Sequence, residues 1–409
     1  MTAPATTART DGKAFSLAIL VVAEVAAMAT WFATTASLGA IRAQWSLSPF
    51  QEALLTSSVQ AGFVAGTLLS ALLSLADRAD LRTLFSVSAL VAALANGAIL
   101  LFEPTHPAVP LLRFLTGMCM AGVYPVGMKL AATWAKGDLG LLIGMLVAAL
   151  TLGSASPHAM AAIGGLDWRA PVAGAAVSAL VAALLIRFAK VGPNHAKAPP
   201  LKLSNALDAF RRPALRLANL GYFGHMWELY AMWAWIGAFL AASFAARYGD
   251  APPLDPRLAT FCVVAIGALG ALGGGFAADR LGRTFVTALS MAVSGLCAAG
   301  IGFLFGASIW LVLPLALVWG VTVISDSAQF SAAVTELSDR SLIGTMLTVQ
   351  TCVGFLITLV SIHLLPYAVD AFGWRFAFLI LAIGPFLGVL AMLRLRLRPE
   401  AATMAGGRR

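Results

Sequence analysis

Two glutamates carry the densest chemistry in this 409-residue chain. Glu24, Ala27, Met28 and Trp31 recur as Glu228, Ala231, Met232 and Trp235, each displaced by 204 positions (228 − 24, 235 − 31). Spacings of i, i+3, i+4 and i+7 put each set on one face of an α-helix. Both sets lie in long apolar runs, where a carboxylate is costly and changes protonation readily. Glu24 and Glu228 are therefore candidates for proton coupling. The other reading is a hydrogen-bonded carboxyl that holds helices together. Trp31 and Trp235 offer flat, partly apolar walls for a solute. Around Glu228 stand Tyr222, His225, Trp227, Tyr230 and Trp233, whereas the first copy has small aliphatic residues there. Substrate preference is expected in that asymmetry.

Further polar groups extend this set. Asp326 is short, cannot reach the interface, and has Ser325, Ser327 and Gln329 beside it. Lys129 aligns with Gln329 at an offset of 200 (329 − 129). It could neutralise an anion, pair with an acid, or snorkel to the interface. With Tyr124, the expected substrate-binding residues are Trp31, Tyr124, Lys129, Trp235, Asp326 and Gln329. Cys119, Cys262, Cys297 and Cys352 show no paired spacing, so neither a disulfide frame nor a metal site is expected. No H-E-x-x-H, G-x-S-x-G or C-x-x-C pattern appears, which argues against an enzyme and against a cofactor.

These residues need elements that cross a bilayer. The chain is 60% hydrophobic and 11% charged, with a mean hydropathy of +0.88. A soluble domain carries charge at about 25% of positions. Apolar spans fall at 15–38, 50–74, 83–102, 109–132, 140–163, 170–189, 215–242, 257–278, 284–305, 309–333, 342–366 and 374–394. Each has about the 20 residues a spanning helix needs. The first is too long for a secretory signal and reads as a permanent helix. Twelve spans place both termini on one side. Most basic residues then fall on that side, which the positive-inside rule makes the cytoplasm. The net charge of +9 therefore reports orientation and contact with anionic lipid, not nucleic acid. A bacterial-type inner membrane and a monomer are expected.

The chain divides into an N-terminal tail (1–14), a six-span half (15–189), a linker (190–213), a second half (214–394) and a basic tail (395–409). Asp77-Arg78 recurs as Asp279-Arg280, Leu142-Ile143-Gly144 as Leu342-Ile343-Gly344, and Trp168-Arg169 as Trp374-Arg375, at offsets of 200 to 206. The predicted fold is all-α: two six-helix bundles related by a pseudo-two-fold axis, with a site near the midplane between them.

Gly275-Phe276-Ala277-Ala278-Asp279-Arg280-Leu281-Gly282-Arg283 fits the G-x-x-x-D-R-x-G-R loop of the major facilitator superfamily, which the chain resembles over nearly its whole length. In the matching loop of the first half, Leu73 and Asp80 replace glycines, while Asp77, Arg78 and Arg82 remain. The resemblance implies a cytoplasmic latch built from Asp77, Arg78, Arg82, Gly275, Asp279, Arg280, Gly282 and Arg283. The alternative reading of the bare residues, less favoured than the latch, is a turn with solvated charges. Arg113 and Gly117 are similar to the superfamily's R-x-x-x-G pattern, linked to proton coupling; Arg113 alone could snorkel. Gly144, Gly153 and Pro157 match its antiporter pattern only in part. The resemblance implies a secondary active transporter working by alternating access. The expectation is proton-coupled symport of a small organic solute, anionic or a neutral aromatic or heterocyclic compound. Alternatives are proton-antiport efflux of amphipathic or cationic compounds, and a non-transporting receptor on the same fold.

Overall fold

The computed structural model describes residues 11–194 and 201–409, apart from the side chains of Asp11 and Leu203. Residues 1–10 of the expected N-terminal tail and 195–200 of the expected linker lie outside the described residues. Eleven described helices are long and apolar enough to cross a membrane. They are α2 (Pro49–Leu73), α3 (Leu81–Leu101), α4 (Ala108–Ala132), α5 (Leu139–Gly164) and α6 (Arg169–Phe188), then α7 (Pro213–Tyr248) and α8 (Pro256–Leu281). The last four are α9 (Arg283–Leu304), α10 (Ile309–Leu337), α11 (Ile343–Phe372) and α12 (Trp374–Arg396). Large apolar side chains such as Leu94, Ile163, Leu296 and Phe386 stand exposed on their outer faces, as contact with lipid requires.

The first span differs from expectation. Its helix, α1 (Asp11–Met28), breaks at residues 29–32 and resumes only as the short pieces Ala33–Ala36 and Leu38–Arg42. Asp11, Lys13 and Glu24 within eighteen residues also leave it less apolar than the others. Its repeat partner α7 is unbroken for 36 residues and runs six past the expected end.

Local sequence sets the helix boundaries. Ser48 and Gln51 form a capping box ahead of Pro49. Asp80, where the loop motif expects glycine, caps α3 through the Thr83 amide. Gly249 (φ +63°) and Gly373 (φ +68°) end α7 and α11 in a backbone region that favours glycine.

Packing follows the repeat. In the first half α1 packs on α5 and α6, α2 on α4, and α3 on α4 and α6. In the second, α7 packs on α11 and α12, α8 on α10, and α9 on α10 and α12. Each pair maps onto the other by adding six. The two crossings between halves, α2 with α11 and α5 with α8, obey the same rule. At the first, Ser57 Oγ lies 2.8 Å from His363 Nε2. Glycines allow the closest approaches. A Cβ on Gly117 would fall 2.0 Å from the Val59 carbonyl oxygen, and one on Gly274 would fall 1.9 Å from that of Ser325. The motif glycine Gly117 thus serves the α2–α4 crossing.

Candidate functional site

The break in α1 positions the site. The turn at residues 29–32 presents the Thr30 and Trp31 carbonyls to Arg113 on α4. Its Nη1 donates to the Thr30 carbonyl (2.6 Å) and to Asn96 Oδ1 (3.2 Å), Nε donates to the Leu55 carbonyl (3.2 Å), and Nη2 donates to the Trp31 carbonyl. Arg113 is fully buried. It does not snorkel, and its partners are neutral acceptors; it fixes the broken segment that carries Trp31.

Trp31 forms an aromatic layer between the halves. Its ring centroid lies 5.2 Å from Phe63, 5.8 Å from Tyr230 and 5.8 Å from Phe355. Phe63 and Phe355 approach to 4.6 Å across the α2–α11 crossing. Trp235 sits apart from this layer. Its Nε1 donates to the Ile362 carbonyl (3.0 Å), and its ring lines a cavity of about 360 Å³ on the side away from the termini. Arg42, Glu52, Asp370 and Trp374 share that lining, with Arg42 bonded to Glu52 through two nitrogens.

The two glutamates have diverged. Glu228 is fully bonded: Ser294 Oγ donates to Oε2 (2.8 Å) and Trp319 Nε1 to Oε1 (2.7 Å). One turn away, His225 Nδ1 lies 2.9 Å from Asp326 Oδ1, with both residues buried. Glu24 is equally buried, yet neither carboxylate oxygen has a hydrogen-bond partner among the described residues. Gly127 on α4 lies against it, where a Cβ would fall 2.5 Å from Oε2, and Tyr124 stands three residues earlier on the same helix. The repeat offsets explain the difference. Val21, Ala92, Cys119 and Val126 occupy the positions where the second half has His225, Ser294, Trp319 and Asp326.

Two expected substrate residues are bonded within their own halves. Lys129 Nζ donates to Asp77 Oδ1 (2.6 Å) and to the Ala76 carbonyl (2.8 Å). Gln329 Oε1 accepts from Arg283 Nη1 (2.8 Å). These repeat-matched residues each tie a helix to the interhelical loop of their own half. Gly224, one turn before Glu228, closes α7 onto α12, where a Cβ would meet the Gly384 carbonyl at 2.3 Å. Trp227 donates to the Ile380 carbonyl (2.9 Å), as a packing role requires.

The motif loop of the second half is a bonded cluster. Arg283 grips Glu336 through two bonds of 2.7 Å, and Arg280 folds over the Phe276 ring. Asp279 approaches the start of α5 in the other half, 3.8 Å from where a Gly140 Cβ would stand. The tail after α12, expected as a basic extension, packs here. Ala401 and Met404 are buried, the Ala405 amide donates to Glu336 Oε2 (3.2 Å), and Arg408 donates to the Asp279 carbonyl. Gly282 (φ +93°) leaves room for the Arg408 and Arg409 carbonyls. In the first half, Arg82 bonds to Asp80 and to the Ala189 carbonyl, while Arg78 is exposed.

Gln60 on α2 and Gln350 on α11 were missed in the sequence. Both are fully buried, with their amide oxygens and nitrogens unpartnered among the described residues. An amide near mid-span is the signal that could have found them.

Two six-helix bundles on one pseudo-two-fold axis, enclosing buried acids and aromatic rings, define a multi-pass membrane transporter rather than an enzyme. A sequence profile described as Major Facilitator Superfamily matches residues 20–358, and the chain belongs to that superfamily. No curated protein matches it significantly. Among solved structures, a mutant of the nucleoside transporter NupG aligns with a TM-score of 0.71, over 94% of this chain and 99% of that one, at 15% identity. At that identity the likeness is one of fold.

Proposed function

We propose that this transporter couples proton movement at Glu24 to alternating access for a small, flat organic solute bound between the halves. It works as a monomer in a bacterial-type inner membrane with both termini in the cytoplasm. One observation carries the reading: among the described residues Glu24 is buried with both oxygens unpartnered, while both oxygens of its repeat counterpart Glu228 are bonded. A carboxyl without fixed donors is free to exchange its proton with a solute or with water as the cavity changes sides. Glu228, locked to Ser294 and Trp319, serves the fold of its own half.

The solute is better read as neutral than as anionic. The cation nearest to serving an anion, Lys129, already neutralises Asp77. Arg113 is spent on backbone carbonyls. The layer of Trp31, Phe63, Tyr230 and Phe355 suits an aromatic or heterocyclic ring.

The test needs no substrate. Lys136 and Arg340 are exposed on the terminal side, one in each half. Spin labels at Lys136→Cys and Arg340→Cys should report a distance distribution that shifts between pH 5 and pH 8. Glu24→Gln should freeze the distribution, and Glu228→Gln should leave its pH response in place. A pH response that survives Glu24→Gln would remove the proton site from Glu24.

A further inference from the structure

The cavity of about 360 Å³ on the side away from the termini shares no residue with the Trp31 layer, and both halves build it. Arg42, Leu47 and Glu52 line it from the first half, and Trp235, Asp370 and Trp374 from the second. Its size falls within the roughly 300–1,000 Å³ of sites that hold small organic molecules.

The charges in its lining do not cancel. Arg42 is committed: Nε and Nη2 both donate to the Glu52 carboxylate, so the two form a neutral pair. Asp370 is the other charged group of the lining, and it has neither a hydrogen bond nor an ion pair among the described residues. Arg375, next to Trp374, turns elsewhere. Its guanidinium lies 5.8 Å from the Phe303 ring centroid and 5.7 Å from that of Phe376, and neither ring belongs to the cavity. One carboxylate is therefore left uncompensated.

Two indoles complete the walls, and both are held by the fold. Trp235 is fixed by its bond to the Ile362 carbonyl, and Trp374 by the rings of Phe239 and Phe378, each 5.7 Å away. Indole is the best side chain for holding a cation against its face. The Arg42 guanidinium already stands 5.9 Å from the Trp235 ring centroid. A metal ion would need several oxygen ligands. Here one carboxylate is uncommitted, and much of the remaining wall is proline, leucine and valine.

We propose that this outer cavity binds an organic cation with an apolar body, such as a quaternary ammonium, and that its occupant brakes transport. Asp370 supplies the counter-charge, and Trp235 and Trp374 supply the aromatic surface. The lining comes from both halves, so the occupant binds the conformation that holds the cavity in preference to one that pulls the lining apart. It shifts the population toward the first. The recognition stands apart from the proton site at Glu24; the braking role rests on the transport reading above.

Three probes that share a phenyl ring separate the effect of charge: benzyltrimethylammonium (cation), benzyl alcohol (neutral) and phenylacetate (anion). A bound ligand raises Tm by mass action. At pH 8 and equal concentration, benzyltrimethylammonium should raise the Tm of the purified full-length protein more than either of the others. Asp370→Asn should weaken its apparent affinity about tenfold, the scale of losing a charged partner. Asp370 is exposed, so that variant should keep the ligand-free Tm. Asp370→Lys, which puts a positive charge at the same place, should abolish the shift. Trp374→Phe should weaken binding less than Asp370→Asn, because a phenyl face holds a cation less well than an indole. No rise with the cation, an equal rise with either other probe, or an unchanged affinity in Asp370→Asn would overturn the site. For the brake, saturating benzyltrimethylammonium should hold the distance distribution between Lys136→Cys and Arg340→Cys fixed from pH 5 to pH 8. Asp370→Asn should release it at the same concentration. A shift that persists under saturating cation would overturn the brake. A distribution that stays fixed without the cation would overturn the brake together with the Glu24 reading, while the Tm comparison still decides the site.

Discussion

Glu24 and Glu228 occupy one sequence pattern and two chemical situations. The duplication was plain in the chain, but the divergence was not, because the deciding residues, Ser294 and Trp319, lie 66 and 91 positions from Glu228. Sequence spacing along one helix names the face of a side chain; it does not name the neighbour. Arg113 shows the same limit. Its place a few residues into α4 left snorkelling open, yet the broken segment of α1 draws it inward. Arg113→Met should therefore act on stability ahead of coupling. Removing the guanidinium strands the Thr30 and Trp31 carbonyls in an apolar interior, at about 1–3 kcal/mol for each unmet group. A fall of several degrees in Tm in detergent is the expected result. Arg113→Lys should recover only part of it, because an ammonium cannot fork to carbonyls on both sides.

At the scale of helices, the predicted spans and the observed ones agree closely from α2 onward, because long apolar runs leave little choice in a bilayer. What apolarity could not convey is where a helix gives way. The breaks near residues 30, 122 and 326 lie inside apolar runs and are decided by tertiary partners. Gly117 and Gly273 make the contrast testable. A side chain on Gly117 would drive into the Val59 carbonyl, whereas nothing lies within 4 Å of a Cβ on Gly273. Gly117→Val should lower Tm sharply and reduce the yield of folded protein, and Gly273→Ala should leave both unchanged. Equal effects would mean that helix propensity, not the α2–α4 crossing, sets the cost. The roles of Lys129 and Gln329 were hidden for a related reason: their alignment at one offset was visible, but the loops that claim them lie some 50 residues away.

For the whole molecule, polar contacts join the two halves, and one of them carries an expectation for pH. On the side away from the termini, Arg257 reaches across to the Gly165 carbonyl while holding Asp255 through bonds of 3.0 and 2.7 Å. Partial burial pushes the Asp255 carboxyl up, but bonds from the Arg257 side chain and amide outweigh it and hold Asp255 below its ordinary 3.8. A depressed acid contributes stability above its unfolded value and loses it only as pH falls through the folded one. This contact is therefore constant from pH 5 to pH 8. Asp255→Asn should change Tm by the same amount at both values and leave the pH-dependent distance change intact; a shifted pH response would assign the sensor to this loop. The repeat also has a mechanical consequence. At 1.5 Å per residue α7 is a rod of about 54 Å, longer than the roughly 30 Å hydrocarbon core, so its two ends stand in water on opposite sides. Its twin α1 carries a joint at residues 29–32, at the level where Trp31 meets Tyr230. A solute arriving at that level meets an unbroken post from one half and, from the other, a turn that Arg113 holds in place. A molecule built from two like parts therefore presents two unlike jaws.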